Sequence, residues 1–177
     1  MKKVMALVLG LAAGASFTRA QTPPNPGPEY AKLAGFIGNW TTEGTSTASP
    51  FGPGEKCGGG RITSEWFDGR FAVVRHAQMT CATRGNVREL DVITYDAAAK
   101  NYTWYAIDGQ GTTAMGKGSI SGDTLTMVWE VPAKGKVFKI RGRLKGLGTD
   151  KFAWAQEYSD DGKMWTPYVR ATDVRLK

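Results

Sequence analysis

The sequence contains few of the residues that serve metal binding and nucleophilic catalysis. It has one histidine, His76, and two cysteines, Cys57 and Cys81. These fall short of a usual tetrahedral zinc set, and Cys-x-x-Cys spacing does not occur. No serine lies in a G-x-S-x-G setting. We therefore expect no metal, no cofactor and no nucleophilic catalytic residue.

Two further features typical of binding sites, a phosphate-binding loop and a basic patch, are weak or missing. The glycine run Gly58 to Gly60 lacks the lysine and helix of a phosphate loop, so we interpret it as turn material. Positive charge is in mild excess, with a net charge of +7. The one dense basic stretch, residues 134 to 145, alternates charged with apolar residues, as the solvated face of a strand does. We expect no nucleic-acid partner.

Long hydrophobic runs are missing beyond the N-terminus. Two lysines precede a short apolar run over residues 4 to 15, and the small residues Thr18 and Ala20 form a cleavage site. This pattern predicts a secretory signal peptide over residues 1–20, too short for a stable membrane anchor. The predicted mature chain begins at Gln21 and is periplasmic or secreted.

The predicted export indicates the bonding state of the two cysteines. An even number of cysteines in an oxidising compartment favours a disulfide between Cys57 and Cys81. Closing a loop of this length contributes on the order of 3 kcal/mol in the chain-entropy model.

The predicted mature chain contains one domain. Residues 21–28 read QTPPNPGP, a flexible proline-rich leader. A short amphipathic helix is predicted from Glu29 to Gly38. About ten short runs rich in aromatic and β-branched residues follow, separated by hairpin-like turns. Residues 29–177 are therefore predicted to form an all-β antiparallel meander barrel.

One long loop interrupts the strand pattern, from Thr47 to Gly60. It is rich in glycine and proline, which places the start of the second strand at Arg61. A long loop in a compact domain is often a lid over a binding site. The alternative is an inert loop held by the disulfide, and the residues leave both open.

Alternation along the strands selects candidate interior residues. Six tryptophans are many for a chain of this size, and aromatic walls with a few polar groups are typical of small-molecule cavities. The alternative is a plain aromatic core. The candidate ligand-binding residues are Arg75, His76, Trp104, Met127, Trp129, Trp154 and Tyr158, with Arg75 or His76 as the polar anchor.

Carboxylates offer an alternative, enzymatic hypothesis. Several lie within predicted strands, and alternation with apolar neighbours places most of them outside the barrel. Glu65 and Glu130 remain as the candidates for acid–base chemistry at the barrel mouth, together with His76. No set of residues in the sequence forms a clear catalytic arrangement, so we favour a protein that is not an enzyme.

Several segments in succession resemble a known family. The segments are LAGFIGNWTTEGTS, FDGRFAVVRH, YDAAAKNYTWYAIDGQGT and YSDDGKMWTPYVRATDVRL. They resemble a bacterial lipocalin-like family of unknown function whose members carry G-x-W, G-R-F and Y-D-x5-Y segments. The resemblance covers nearly the whole predicted mature chain.

This resemblance implies a calycin-type barrel and carries no established activity. It also implies that Trp40 packs at the closed barrel end beneath a last-strand arginine, Arg170 or Arg175. A haem role like that of nitrobindin-type barrels is not expected, because the chain has a single histidine. The leading hypothesis is an exported protein that binds a small apolar or aromatic molecule; the alternatives are an enzyme and a structural or partner-binding barrel with a filled interior.

Overall fold

A computed structural model describes residues 25–177. The predicted signal peptide and most of the predicted leader lie outside the described residues. Ten antiparallel strands close into a barrel in chain order, and the first strand pairs with the last. The predicted all-β meander barrel with a short N-terminal helix is confirmed.

The strands are β1 Gly38–Ser46, β2 Glu55–Trp66, β3 Ala72–Cys81, β4 Gly85–Asp96, β5 Asn101–Asp108, β6 Thr113–Ser121, β7 Thr124–Ala133, β8 Lys136–Lys145, β9 Lys151–Ser159 and β10 Thr166–Arg175. Inward and outward side chains alternate along the strands, except where the pairing register shifts in β1, β2 and β10. This alternation decides which residues reach the interior.

The N-terminal helix is shorter and less regular than predicted. Helix α1, Pro28–Ala31, passes directly into a 3₁₀ turn, Lys32–Phe36. The 3₁₀ turn buries Leu33 and Phe36 against the barrel end. Gly35 lies so close to the backbone of Gly148 that a Cβ there would clash at 2.6 Å. None of the helices within residues 25–177 has the length and apolar character needed to cross a membrane.

The second strand begins earlier than predicted. It starts at Glu55 rather than Arg61, so the Gly58 to Gly60 run is part of a strand and not a turn. The pairing register shifts between Gly58 and Arg61 on the β3 side, as a β-bulge does. Gly59 adopts φ 61°, which favours glycine. The connecting loop therefore ends before Glu55.

One end of the barrel is covered by the helical segment and packed with aromatic rings. Trp40 is 1% exposed and stacks on Phe152 at 4.2 Å between ring centroids. Its Nε1 donates a hydrogen bond to the carbonyl oxygen of Phe36 at 3.0 Å. The Arg175 guanidinium lies over the Trp40 ring at 4.1 Å, whereas Arg170 is exposed. The last-strand arginine on Trp40 is thus Arg175.

The opposite end is held in a different way. Cys57 and Cys81 face each other across β2 and β3 and form the predicted disulfide. Phe51, from the loop between β1 and β2, packs its ring against an aromatic cluster of Phe138, Tyr158 and Tyr168. The loop therefore covers part of the barrel end opposite the helix.

Candidate functional site

A cavity of about 170 Å³ lies inside the barrel. Its larger apolar walls are Ile62, Ile93, Trp104, Leu125, Met127 and Trp154. Its polar lining is Thr42, Arg75, Glu89, Asp91, Gln156 and Asp173. The cavity thus combines aromatic and aliphatic walls with one compact group of charged side chains.

Glycines on the inner face keep room for the tryptophan rings of this cavity. A Cβ at Gly142 in β8 would lie 2.5 Å from the ring of Trp154 and 2.9 Å from the ring of Trp129. A Cβ at Gly116 in β6 would lie 3.3 Å from the ring of Trp104. Because glycine lacks a side chain, these rings lie close against the barrel wall.

Arg75 is the centre of the charged group. It points inward from β3, and its side chain is 12% exposed. Its Nη1 lies 3.7 Å from Oδ2 of Asp91, and its Nη2 lies 3.6 Å from Oδ2 of Asp173. Both distances exceed a hydrogen bond. Its buried Nε has no hydrogen-bond partner among the described residues. Charge holds this group together without a closed hydrogen-bond network.

The two aspartates differ in their other partners. Trp104 Nε1 donates a hydrogen bond of 2.7 Å to Oδ1 of Asp91. Burial raises the pKa of Asp173, against the opposing effects of the Arg75 guanidinium and a hydrogen bond from Thr42. Both carboxyl groups are almost wholly removed from water, which is costly for charged groups.

Glu89 is the third carboxyl group of the cavity. Burial raises its pKa to about 8, and the charge and hydrogen bond of Asp91, two residues along β4, act in the same direction. Glu89 therefore carries a proton at neutral pH and can donate a hydrogen bond. The cavity then offers one cation, two aspartates and one neutral acid.

Comparison with known proteins assigns the chain to a family. The sequence model of the family described as "Protein of unknown function (DUF1579)" matches residues 25–175. The chain belongs to this family. No curated protein matches it.

Solved structures share the barrel fold of this DUF1579 chain. It is similar to the crystal structure of Rv2717c from M. tuberculosis, with a TM-score of 0.57 and 12% identity over 85% of this chain and 99% of that chain. It also matches a structure of EF1p2_mFAP2b bound to DFHBI, with a TM-score of 0.45 and 15% identity over 84% of this chain and 99% of that chain. At 12% identity the likeness to Rv2717c concerns the fold alone.

The candidate ligand-binding residues do not all reach the cavity of the DUF1579 barrel. Arg75, Trp104, Met127 and Trp154 line it. Trp129 is buried behind Trp104, with ring centroids 5.1 Å apart. Tyr158 belongs to the aromatic cluster around Phe51.

His76 lies elsewhere. It is exposed on the outer face of β3, beside Arg61 and Thr63 of β2. Its neighbour Arg75 faces inward, and adjacent residues of a strand face opposite sides. His76 therefore cannot anchor a ligand in the interior.

The carboxylates singled out from the sequence are also on the outside. Glu65 and Glu130 are both exposed. Glu89 and Asp91 are among the strand carboxylates that alternation with apolar neighbours predicts to lie outside the barrel, but both lie in the interior. Both acids lie an even number of positions before Ile93 and therefore face the same side of β4 as Ile93, which is 2% exposed in the core. This spacing could have placed them in the interior.

Proposed function

We propose that this protein binds a small aromatic molecule inside the barrel. The observation that carries the proposal is the cavity of about 170 Å³, whose lining includes Trp104 and Trp154. A cavity of about 150 Å³ with apolar walls accepts benzene. A molecule with one ring and a short substituent therefore suits the space.

The lining supports this choice of ligand. Apolar walls supply affinity through the surface that they remove from water, and a few polar groups fix the orientation of the ligand. The lipocalin-like character implied by the sequence motifs is part of the proposal, since barrels of that type hold one small ligand. A plain core would have side chains where this barrel has space.

Export to the periplasm or out of the cell is part of the same proposal. Its basis is the lysine-flanked apolar run and cleavage site over residues 1–20. The disulfide between Cys57 and Cys81 supports it, because such bonds persist in oxidising compartments. Mass spectrometry of the protein recovered from the periplasm or medium should show a chain that begins at Gln21.

Toluene and benzyl alcohol are the neutral probes that test binding. Isothermal titration and tryptophan fluorescence should give dissociation constants below about 1 mM, which corresponds to about 4 kcal/mol. Quenching is expected because Trp104 and Trp154 line the cavity.

A pair of matched variants locates the binding site. Met127→Trp adds bulk to the cavity wall and should abolish binding. Met115→Trp adds the same bulk at a side chain that is 52% exposed and should leave binding unchanged. If neither these probes nor charged compounds with the same ring bind the wild type below millimolar concentrations, the structural-barrel alternative replaces this proposal.

A further inference from the structure

We infer that the ligand carries a positively charged amine, which the inward carboxyl groups of Glu89, Asp91 and Asp173 bind while its ring lies against Trp104 and Trp154. This inference rests on the proposed function and specifies the class of ligand. It assigns the charged group of the cavity to recognition of a cation.

The first argument is the balance of charge. The cavity is lined by three carboxyl groups and one guanidinium. Burial penalises each uncompensated charge, because little water remains to solvate it. One added cation brings the group closer to neutrality, whereas an added anion would leave it further away.

The second argument is the open geometry of the group. Arg75 stands 3.7 Å from Asp91 and 3.6 Å from Asp173, so its guanidinium does not complete a hydrogen bond to either. The side chains of these two aspartates are only 4% and 7% exposed. Their Oδ2 atoms retain capacity to accept from a donor placed in the cavity. An ammonium group has three such donors.

The same geometry argues against an anionic ligand on Arg75. A ligand carboxylate that approached the guanidinium would come close to Asp91 and Asp173 as well. Like charges at short range in a poorly solvated site repel strongly. Arg75 thus positions the two aspartates rather than anchoring an acid.

Proton release should accompany the binding of an amine. Burial and Asp91 raise the pKa of Glu89 to about 8, and a bound cation would favour its ionised form. The charged groups around Glu89 are Asp91 on β4, Arg75 on β3 and Asp108 on β5, with Asp173 beyond Arg75 on β10. Affinity for an amine should therefore rise between pH 6 and pH 8.

Three probes with the same ring but different charge distinguish a cationic, a neutral and an anionic ligand. They are benzylamine, benzyl alcohol and benzoate. Titration calorimetry of the wild type at pH 8 should show benzylamine binding about tenfold or more tightly than benzyl alcohol, because charge-assisted hydrogen bonds are stronger than neutral ones. Benzoate should bind most weakly. Benzylamine should weaken as the pH falls to 6, while benzyl alcohol should change little.

A matched pair of variants tests the role of Glu89. Glu89→Gln keeps the shape but cannot ionise, so the pH dependence of benzylamine affinity should flatten. Glu130→Gln makes the same change on the exposed face of β7 and should retain the wild-type dependence. If Glu89→Gln fails to fold, the pH series of benzylamine affinity in the wild type still tests the predicted pH dependence.

The outcomes distinguish the two proposals. Benzyl alcohol or benzoate binding as tightly as benzylamine would overturn the amine inference and leave aromatic binding in place. A pH-independent preference for benzylamine would remove the role of Glu89. Failure of all three probes would overturn both proposals.

Discussion

The helix-covered end and the cavity are built from the same strands but differ in chemistry. A step of two residues, from one inward position to the next, leads from one region to the other: from Trp40 to Thr42 on β1, from Val73 to Arg75 on β3, and from Ile93 to Asp91 on β4. The first region is apolar and filled, and the second holds charges and empty space.

This difference indicates what each region contributes. Filled aromatic packing is favourable through burial and dispersion. A cavity lowers stability, and so does a buried group of charges whose hydrogen bonds are incomplete. Such a region beside well-packed rings does not stabilise the fold, and this supports the proposed binding role.

The largest expected effect tests the packed end. Trp40→Ala should lower the free energy of unfolding by about 3–5 kcal/mol, because it removes a fully buried ring and leaves a hole. Urea unfolding followed by circular dichroism measures the loss. Trp165→Ala is the matched control, since that ring is half-buried beneath Arg141 and should cost far less. Equal losses would remove the distinction between packed and peripheral aromatic rings.

The disulfide end should depend on its covalent link. Replacing both cysteines, as in Cys57→Ala with Cys81→Ala, should cost about 3 kcal/mol, since the bond closes a loop with a sequence separation of 24. Urea unfolding with and without a reductant measures this cost. The reductant should destabilise the wild type and leave the double variant unchanged. Two alkylatable thiols in the oxidised protein would contradict the prediction.

A methyl group on the inner face should disturb the cavity. Gly142→Ala places a Cβ against the rings of Trp154 and Trp129, and such overpacking costs about 1–3 kcal/mol. The displaced ring should also weaken binding of benzyl alcohol. Gly58→Ala is the control in β2, because a Cβ there meets no atom within 4 Å. Unchanged stability and binding in Gly142→Ala would mean that the cavity is more adaptable than its geometry indicates.

The effect that is smallest over a single pH unit concerns protonation of the cavity. Folding raises the pKa of Glu89 to about 8, so the folded state binds this proton more tightly than the unfolded state. Its stabilising contribution is present at about pH 4 and is lost as the pH rises through 8, by at most about 1.4 kcal/mol per pH unit. Urea midpoints between pH 5 and pH 9 should therefore fall in the wild type and fall less in Glu89→Gln. Identical slopes would contradict the assignment.

Much of the fold could be predicted from local patterns. Period-two alternation and hairpin turns indicated the strands and their order. The start of β2 was missed because Gly58 to Gly60 resembles a turn, although the close approach of Thr42 to Gly60 requires glycine within the strand. Only the packing of neighbouring strands reveals that requirement.

The site was predicted only in part, because the sequence does not show how neighbouring strands pack. Alternation placed Trp104 and Trp154 in the interior and left Arg75 or His76 as the polar anchor, of which Arg75 lines the cavity. The interior acids of β4 were missed because the usual pattern places apolar side chains inside, whereas Leu90 and Val92 lie half-buried on the outer face. A barrel with a polar interior reverses the pattern locally, and in β4 the even spacing of Glu89 and Asp91 from Ile93 is the signal of that reversal.

Pairing between β1 and β10 also determines when the barrel can close during synthesis. Trp40 lies opposite Arg175, so the barrel cannot close until the ribosome has made the chain as far as Arg175. Contacts between such distant residues form slowly. For the proposed exported protein this delay is useful, because the chain stays open during synthesis and would close only after translocation.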